Sequence, residues 1–404
     1  MQQDYDVLIV GGGLAGNCLA LALKGSGLKI AIVEANTREQ LHNSPAGDRA
    51  LALASGTVQM LQALGIWAQA KAVATPIKTI HVSDQGHFGK TRLSAKKEGV
   101  AALGYVITAR DSEDVVAELV AQTDIQLISP ARVIGIASDQ SHAHISLKQQ
   151  ESSLSISARL VVGADGGQST IRKLLEIDQH VTDYQQAAIV TTIKTEIAHD
   201  NVAYERFTSS GPLALLPFKQ DYAVVWTRTK EDAEQLLLDS EEDFLASLHA
   251  CFGYKLGRFS LAAPRRSFPL SLVRANSMHS GRVVIIGNAV HQLHPVAGQG
   301  FNLGLRDVVQ LAEMLLNAAQ QGDDIGAEEL LADYARQRQK DHDTVVNFTD
   351  SIVKLFSNQW LSLAAARNTG LAMLDIIPGA KKQLARYAMG LNVRMPYIGT
   401  RRRV

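Results

Sequence analysis

Cysteine is scarce in this chain. Cys18 and Cys251 are the only two among 404 residues, which excludes a disulfide framework and fits a reducing compartment. An excess of one charge is also missing: forty Lys/Arg balance forty Asp/Glu, so no overall field favours nucleic acid. No apolar run approaches the roughly 20 residues of a membrane-spanning helix. The first strand begins so near Met1 that no signal peptide precedes it. The expectation is a cytosolic protein. The twelve histidines are scattered, with His291 and His294 at i, i+3 and no carboxylate partner at ligand spacing, so no metal site is expected. Those two are read as packing residues before catalytic ones. What is present is an ordinary 46% hydrophobic and 20% charged composition, with length enough for two domains. The charge is unevenly placed. From Ser351 to Val404 nine Lys/Arg face one acid, Asp375, giving +8. Such a tail suits an anionic membrane surface or a partner, and equally a solvated cap on the fold.

The chain is organised around RVVIIGNAVHQLHPVAGQGFNLGLRD, Arg282 to Asp307. Val283–Ile286 is unbroken and apolar, as in a strand buried on both faces of a parallel sheet. Gly287, Asn288, Pro295, Gly298 and Gly300 then prevent regular structure, and a helix is expected from Asn302, with Leu305, Val309, Ala312 and Leu316 on one face. A strand feeding a Gly/Pro loop and a helix aims backbone N–H groups at whatever lies over the helix start, which favours an anion or an electron-rich ring.

Two distant stretches share that logic. Tyr5–Val10 reads as a buried strand followed by GGGLAG, in which Gly11, Gly13 and Gly16 fit Gly-x-Gly-x-x-Gly. A helix of small residues and a second strand, Lys29–Val33, follow, and Glu34 ends that strand. The first glycine allows the tight turn, the second the approach of a pyrophosphate, and the third close packing of helix on strand; the acid accepts from ribose hydroxyls. RLVVGAD, Arg159 to Asp165, is a third strand running into a Gly/Asp turn and a helix with Ser169 and Arg172. Asp165 at its carboxyl end is placed to meet a ligand lying across the sheet edge. Asp48-Arg49 precedes a helix carrying Val58, Leu61 and Leu64. Residues 187–275 are rich in β-branched and aromatic residues and read as an antiparallel sheet, where Phe207, Leu215, Phe218 and Trp226 are candidates for an apolar pocket or for plain core. From Thr344 onward the chain reads as helical, interrupted at Pro378 and Pro396.

GGGLAG with Glu34, GADGGQSTIR and GNAVHQLHPVAGQGFN together resemble the three FAD signatures of the group A flavoprotein aromatic hydroxylases, over essentially the whole chain. DRALALA, HVSDQGHFG, YERFTSSGPLALLP and the HP-x-AGQGFNLGLRD stretch resemble the ubiquinone-biosynthesis branch, most of all its 2-polyprenyl-6-methoxyphenol hydroxylases. One departure stands out: the family usually has Gly-Asp where this chain has Gly287-Asn288. Asn keeps a carbonyl acceptor and adds donors, so FAD binding should survive.

The resemblance implies an α/β fold: a Rossmann-like FAD-binding domain (1–72, 108–180 and 277–345), an antiparallel substrate sheet (73–107 and 181–276) and a helical basic segment (346–404). It implies FAD, with NAD(P)H as a passing co-substrate because no second nucleotide fingerprint is present. Reduced flavin and O₂ would give a C4a-hydroperoxide that attacks a polyprenylated phenol. By the same analogy Pro295, Gly298 and Gly300 wall the flavin and peroxide. Phe301 and Asn302 lie at the cofactor, Arg49 near flavin or pyrophosphate, and Asp165 at the cofactor edge. No general base is named, since the phenol hydroxyl activates its own ring. A long-tailed substrate further implies contact with the inner membrane or a ubiquinone-biosynthesis complex. The rivals are a sister hydroxylase acting at another ring position or on another phenol, and a low-turnover flavoprotein scaffold. A flavin halogenase is disfavoured because Trp67, Trp226 and Trp360 form no Trp-x-Trp.

Overall fold

The computed structural model describes residues 3–86, 89–294, 298–356 and 378–391. Its first sheet is built from the unbroken apolar runs. Val283–Ile285, Ser152–Gly163, Gln3–Val10, Ile30–Val33 and Gln126–Ile128 lie side by side in that order, all parallel. Val7, Leu8, Ile9 and Val10 are all buried, which is why these strands do not alternate: both faces of the sheet are covered. Arg132–Ser138 and Ala143–Gln149 extend the Ser152–Gly163 strand as an antiparallel ladder. Four of the parallel strands end on one edge, and directly beyond those ends stand Gly11, Glu34, Asp165 and Gly287. In open α/β sheets this edge is where ligands sit.

The second sheet has nine strands and gathers Thr79–Asp84, Lys90–Ser94, the strands from Gln179 to Ala275 and the short His291–Gln292. It is antiparallel except where Val202–Thr208 pairs with Thr79–Asp84. One face packs on the helices Lys230–Leu238 and Glu241–Phe252; the other looks toward the first sheet's ligand edge across a cavity.

Several boundaries differ from the sequence reading. Residues 73–107 do not all join the large antiparallel sheet. Gly104–Thr108 instead lies between Thr75–Ile77 and Ala50–Ala54, the strand of the DRALALA segment, in a separate three-stranded sheet. The helix expected from Asn302 begins at Gln299 and runs to Gln321, because Gly298 in the left-handed region supplies the turn ahead of it. The helix expected from Thr344 begins at Glu328 and runs to Phe356. Pro378 opens a helix, Pro378–Ala388, a position where a missing N–H costs nothing. Pro295, Pro396 and much of the basic tail lie outside the described residues. No described helix is long and apolar enough to cross a membrane. Both cysteines are free and buried, Cys18 in the first sheet's core and Cys251 in the second's.

Candidate active site

The first turn is closed by geometry that only glycine permits. Gly11 has φ +109°, and a Cβ there would sit 2.4 Å from the Ala164 carbonyl oxygen. A Cβ on Gly16 would lie 1.9 Å from the Gly11 carbonyl oxygen. Gly13 differs: a Cβ there would meet no protein atom within 4 Å. It faces the cavity and precedes the helix Leu14–Leu23, whose first N–H groups receive no side-chain cap. Glu34 is drawn against this turn, with Oε2 accepting from the Gly12 N–H at 2.8 Å and Oε1 from the Asn36 N–H at 2.8 Å.

The second turn is pinned by its own aspartate. Asp165 Oδ2 accepts from the N–H groups of Thr170 and Ile171, at 2.7 and 3.0 Å. Its Oδ1 is buried with no hydrogen-bond partner among the described residues, on the wall of the cavity. Arg172, 3% exposed, donates to the carbonyls of Ala289 and Gly167 at 2.7 and 2.9 Å. It thereby straps the second turn to the third, a tie that spacing in sequence could not reveal.

In the third motif Gly287 (φ +60°) and Gly298 (φ +61°) are both left-handed, and a Cβ on Gly298 would lie 2.8 Å from that of Ala52. Asn288 is exposed and lines the cavity with Gly300 and Phe301. Asn302 is a surprise. Its Oδ1 accepts from the Ala54 N–H (3.0 Å) and Thr57 Oγ1 (2.5 Å), and its Nδ2 donates to the carbonyls of Ala52 (2.9 Å) and Gly298 (2.6 Å). An amide side chain offers two acceptor sites and two donors. All four are spent on protein, so the Asn302 side chain fastens the Ala50–Ala54 strand to the helix and keeps nothing for a cofactor.

All three turns open on one cavity of about 1360 Å³, larger than the roughly 300–1,000 Å³ typical of one small ligand. The FAD binding domain family matches residues 4–349. The chain belongs to this family. It is 35% identical over 392 residues to a ubiquinone hydroxylase of Rhodospirillum rubrum, covering 95% of this chain and 89% of that one. It is 28% identical to the 3-demethoxyubiquinol 3-hydroxylase of Escherichia coli, covering 96% and 99%. The fold superposes on a p-nitrophenol 4-monooxygenase from Pseudomonas putida with TM-score 0.81 at 17% identity, covering 98% and 100%. This member of the FAD binding domain family is an FAD-dependent aromatic monooxygenase.

The far end of the flavoprotein's cavity is the inner face of the second sheet. Phe207 lines it, with Ala203, Ala214, Leu216 and Val225. Leu215 and Trp226 do not. They point to the opposite face and pack under the two covering helices, where the Trp226 and Phe244 rings stand 5.9 Å apart. Phe218 packs beside Ile77 and Val106 at the strand's end and does not reach the cavity wall. Alternation along a strand sends neighbours to opposite faces; here both faces are apolar, so composition did not reveal which face was which. Arg49 lines the cavity, its guanidinium 5.6 Å from the Phe268 ring centre. Asp48 is held away by Arg110 (2.6 Å) and Arg266 (2.7 Å).

Neither His291 nor His294 lines the cavity. His294 is buried edge-on to Tyr184, with ring centres 5.4 Å apart, and burial pushes its pKa down to about 4. His291 does have a carboxylate partner, contrary to the sequence reading: its Nε2 lies 3.3 Å from Asp307 Oδ2. Asp307 also takes Arg338 Nε and His342 Nε2 on Oδ1, both at 2.7 Å, and the Gly287 N–H on Oδ2 at 3.1 Å. His291, Asp307 and His342 converge closely enough for a metal. The Arg338 guanidinium already neutralises the carboxylate, however, and its oxygens are in use. The partners came from a helix more than thirty residues away, which local spacing does not show.

Proposed function

We propose that this flavoenzyme hydroxylates a polyprenylated methoxyphenol, 2-polyprenyl-6-methoxyphenol, to the 1,4-benzoquinol on the route to ubiquinone, using NAD(P)H and O₂. The observation that carries the reading is the single cavity joining three glycine turns to a broad apolar floor. The relatives' names point to hydroxylation in ubiquinone biosynthesis; the methoxyphenol and its para position are the finer proposal.

FAD fits the residues present. The open space over Gly13 and the uncapped N–H groups after it suit a pyrophosphate, and Glu34 Oε2, which accepts only from Gly12 among the described residues, has a lone pair left for a ribose hydroxyl. The unpartnered Asp165 Oδ1, with Gly287 and Asn288, would hold the ribityl stretch. The helix starting after Gly298 would set its positive end by the ring, with Gly300 and Phe301 beside it and Arg49 across from them. Bound FAD, reduced by NAD(P)H, supplies the activation of O₂. The second sheet's apolar wall excludes water from the ring to be hydroxylated.

The test is product analysis of the FAD-loaded protein given NAD(P)H, isotopically labelled O₂ and a short-chain 2-prenyl-6-methoxyphenol. One labelled oxygen para to the phenol hydroxyl is the expected result. Oxygen at another position would establish the sister-hydroxylase reading, which the Escherichia coli relative named for 3-hydroxylation favours. Cofactor oxidation yielding only hydrogen peroxide would reject this substrate. A lipid substrate also gives the +8 tail a use at an anionic bilayer. Co-sedimentation with anionic but not neutral vesicles is expected, and equal behaviour with both would reject it.

A further inference from the structure

The strand Val202–Thr208 crosses the cavity floor with Ala203, Glu205 and Phe207 on the cavity wall. Glu205 stands opposite Ala214 on one neighbouring strand and Val82 on the other. Its four nearest places on that face are therefore apolar. The side chain is open to the cavity, yet protein encloses the cavity around it. Among the described residues no charge or hydrogen bond offsets its desolvation, and burial alone pushes its pKa up to about 7. Among the described residues it caps no helix and pairs with no cation. It costs stability with no structural return, the pattern expected where a ligand is the missing partner.

We propose that Glu205 binds the phenol hydroxyl of the substrate ring and holds its proton while the ring is oxidised. This rests on the phenol-hydroxylase reading above and adds the group that engages the ring. As carboxylate, Glu205 accepts the phenol O–H. When the ring carbon forms its new C–O bond with ring π electrons, the O–O bond of the activated oxygen breaks and its pair leaves on the other oxygen, while the O–H electron pair moves into the ring and the proton passes to Glu205, leaving a dienone. The carbon bearing the new oxygen then loses its hydrogen to water and aromaticity returns. The electron pair goes back to the phenol oxygen, which recovers its proton from Glu205. Over the cycle Glu205 is unchanged, one atom of O₂ enters the ring, the other leaves as water, and NAD(P)H supplies the two electrons. The step asks of Glu205 what a general base with a pKa near the working pH does best.

The experiment compares wild type with Glu205→Gln, both FAD-loaded. Binding of 2-prenyl-6-methoxyphenol and of its methyl ether is read from the flavin absorbance change, and product and hydrogen peroxide are measured across pH 5.5–8.5. Wild type should prefer the phenol, and its product rate should rise with pH through about 7. Glu205→Gln should retain FAD, lose the preference, form product on the order of 10²-fold more slowly, show no rise near pH 7 and release more peroxide. A variant that binds and hydroxylates the phenol with the wild-type pH profile overturns the role of Glu205 and leaves the substrate reading standing. Wild type that binds neither ring overturns both. Should the variant fail to fold, wild type alone decides: equal affinity for phenol and ether with a flat profile overturns the proposal.

Discussion

Replacing Asp307 by alanine should lower the thermal midpoint by on the order of 3–4 °C and strip flavin from the protein. The carboxylate is wholly buried and sits between Arg338, His342, His291 and the Gly287 N–H. Removing one member of a buried ion pair costs about 3–5 kcal/mol when the other charge is left desolvated and unpaired; Arg338 keeps Asp341 at 2.8 Å, so the low end applies, and in a chain of this length each kcal/mol moves the midpoint by roughly 1 °C. Flavin loss follows from the second half of the carboxylate's work. Oδ2 holds the Gly287 amide, so without it the loop carrying Asn288 loses its anchor. A differential-scanning experiment with the flavin-to-protein absorbance ratio reads both effects. Adding Arg338→Met should recover part of the stability, since removing both charges relieves the penalty. An unshifted midpoint in the single variant would show that the pair contributes nothing. The pH dependence has a definite sign. Burial raises the Asp307 carboxyl, but His342, Arg338 and the histidine hydrogen bonds outweigh it and hold it well below the usual carboxylate range. A depressed carboxylate stabilises the fold fully above its unfolded pKa and loses that contribution as pH falls toward the folded value. The wild type's advantage over Asp307→Ala should therefore shrink once pH drops below about 4.

Two glycines three residues apart in the same motif, Gly13 and Gly16, should behave oppositely, and the contrast separates folding of the turn from binding of the cofactor. Gly16→Ala would place a methyl 1.9 Å from the Gly11 carbonyl oxygen, a backbone atom that cannot move without dislodging the turn. That variant should lose stability and purify without flavin. Gly13→Ala meets no protein atom within 4 Å. It should melt like the wild-type apoprotein yet bind FAD at least about tenfold more weakly, roughly 1.4 kcal/mol, because its methyl occupies space meant for the ligand. Apoprotein melting curves and FAD titrations give the answer. A Gly13→Ala protein with undiminished FAD affinity would move the cofactor away from this turn.

The sequence by itself determined the pieces whose physics is local. The buried parallel strands could be read because both faces are covered and the apolar run is unbroken. Gly11 and Gly16 could be read because a tight turn into a helix leaves no space for a side chain. A helix over Val58, Leu61 and Leu64 followed from their spacing, and it spans Ser55–Ala63. Tertiary structure alone decided which side chains face the cavity. The second sheet is apolar on both faces, one against helices and one against the cavity, so period-two alternation carried no polar mark to distinguish Leu215 from Leu216 or Trp226 from Val225. Partners across long separations were equally hidden. Asn302 spends its amide on Ala52, Ala54 and Thr57, some 250 residues earlier, and Asp307 finds Arg338 and His342 on another helix. Glu205 is the sharpest instance. In sequence it is one charge in a strand; only the folded sheet, by surrounding it with alanine, valine and phenylalanine, turns that charge into a group waiting for a proton.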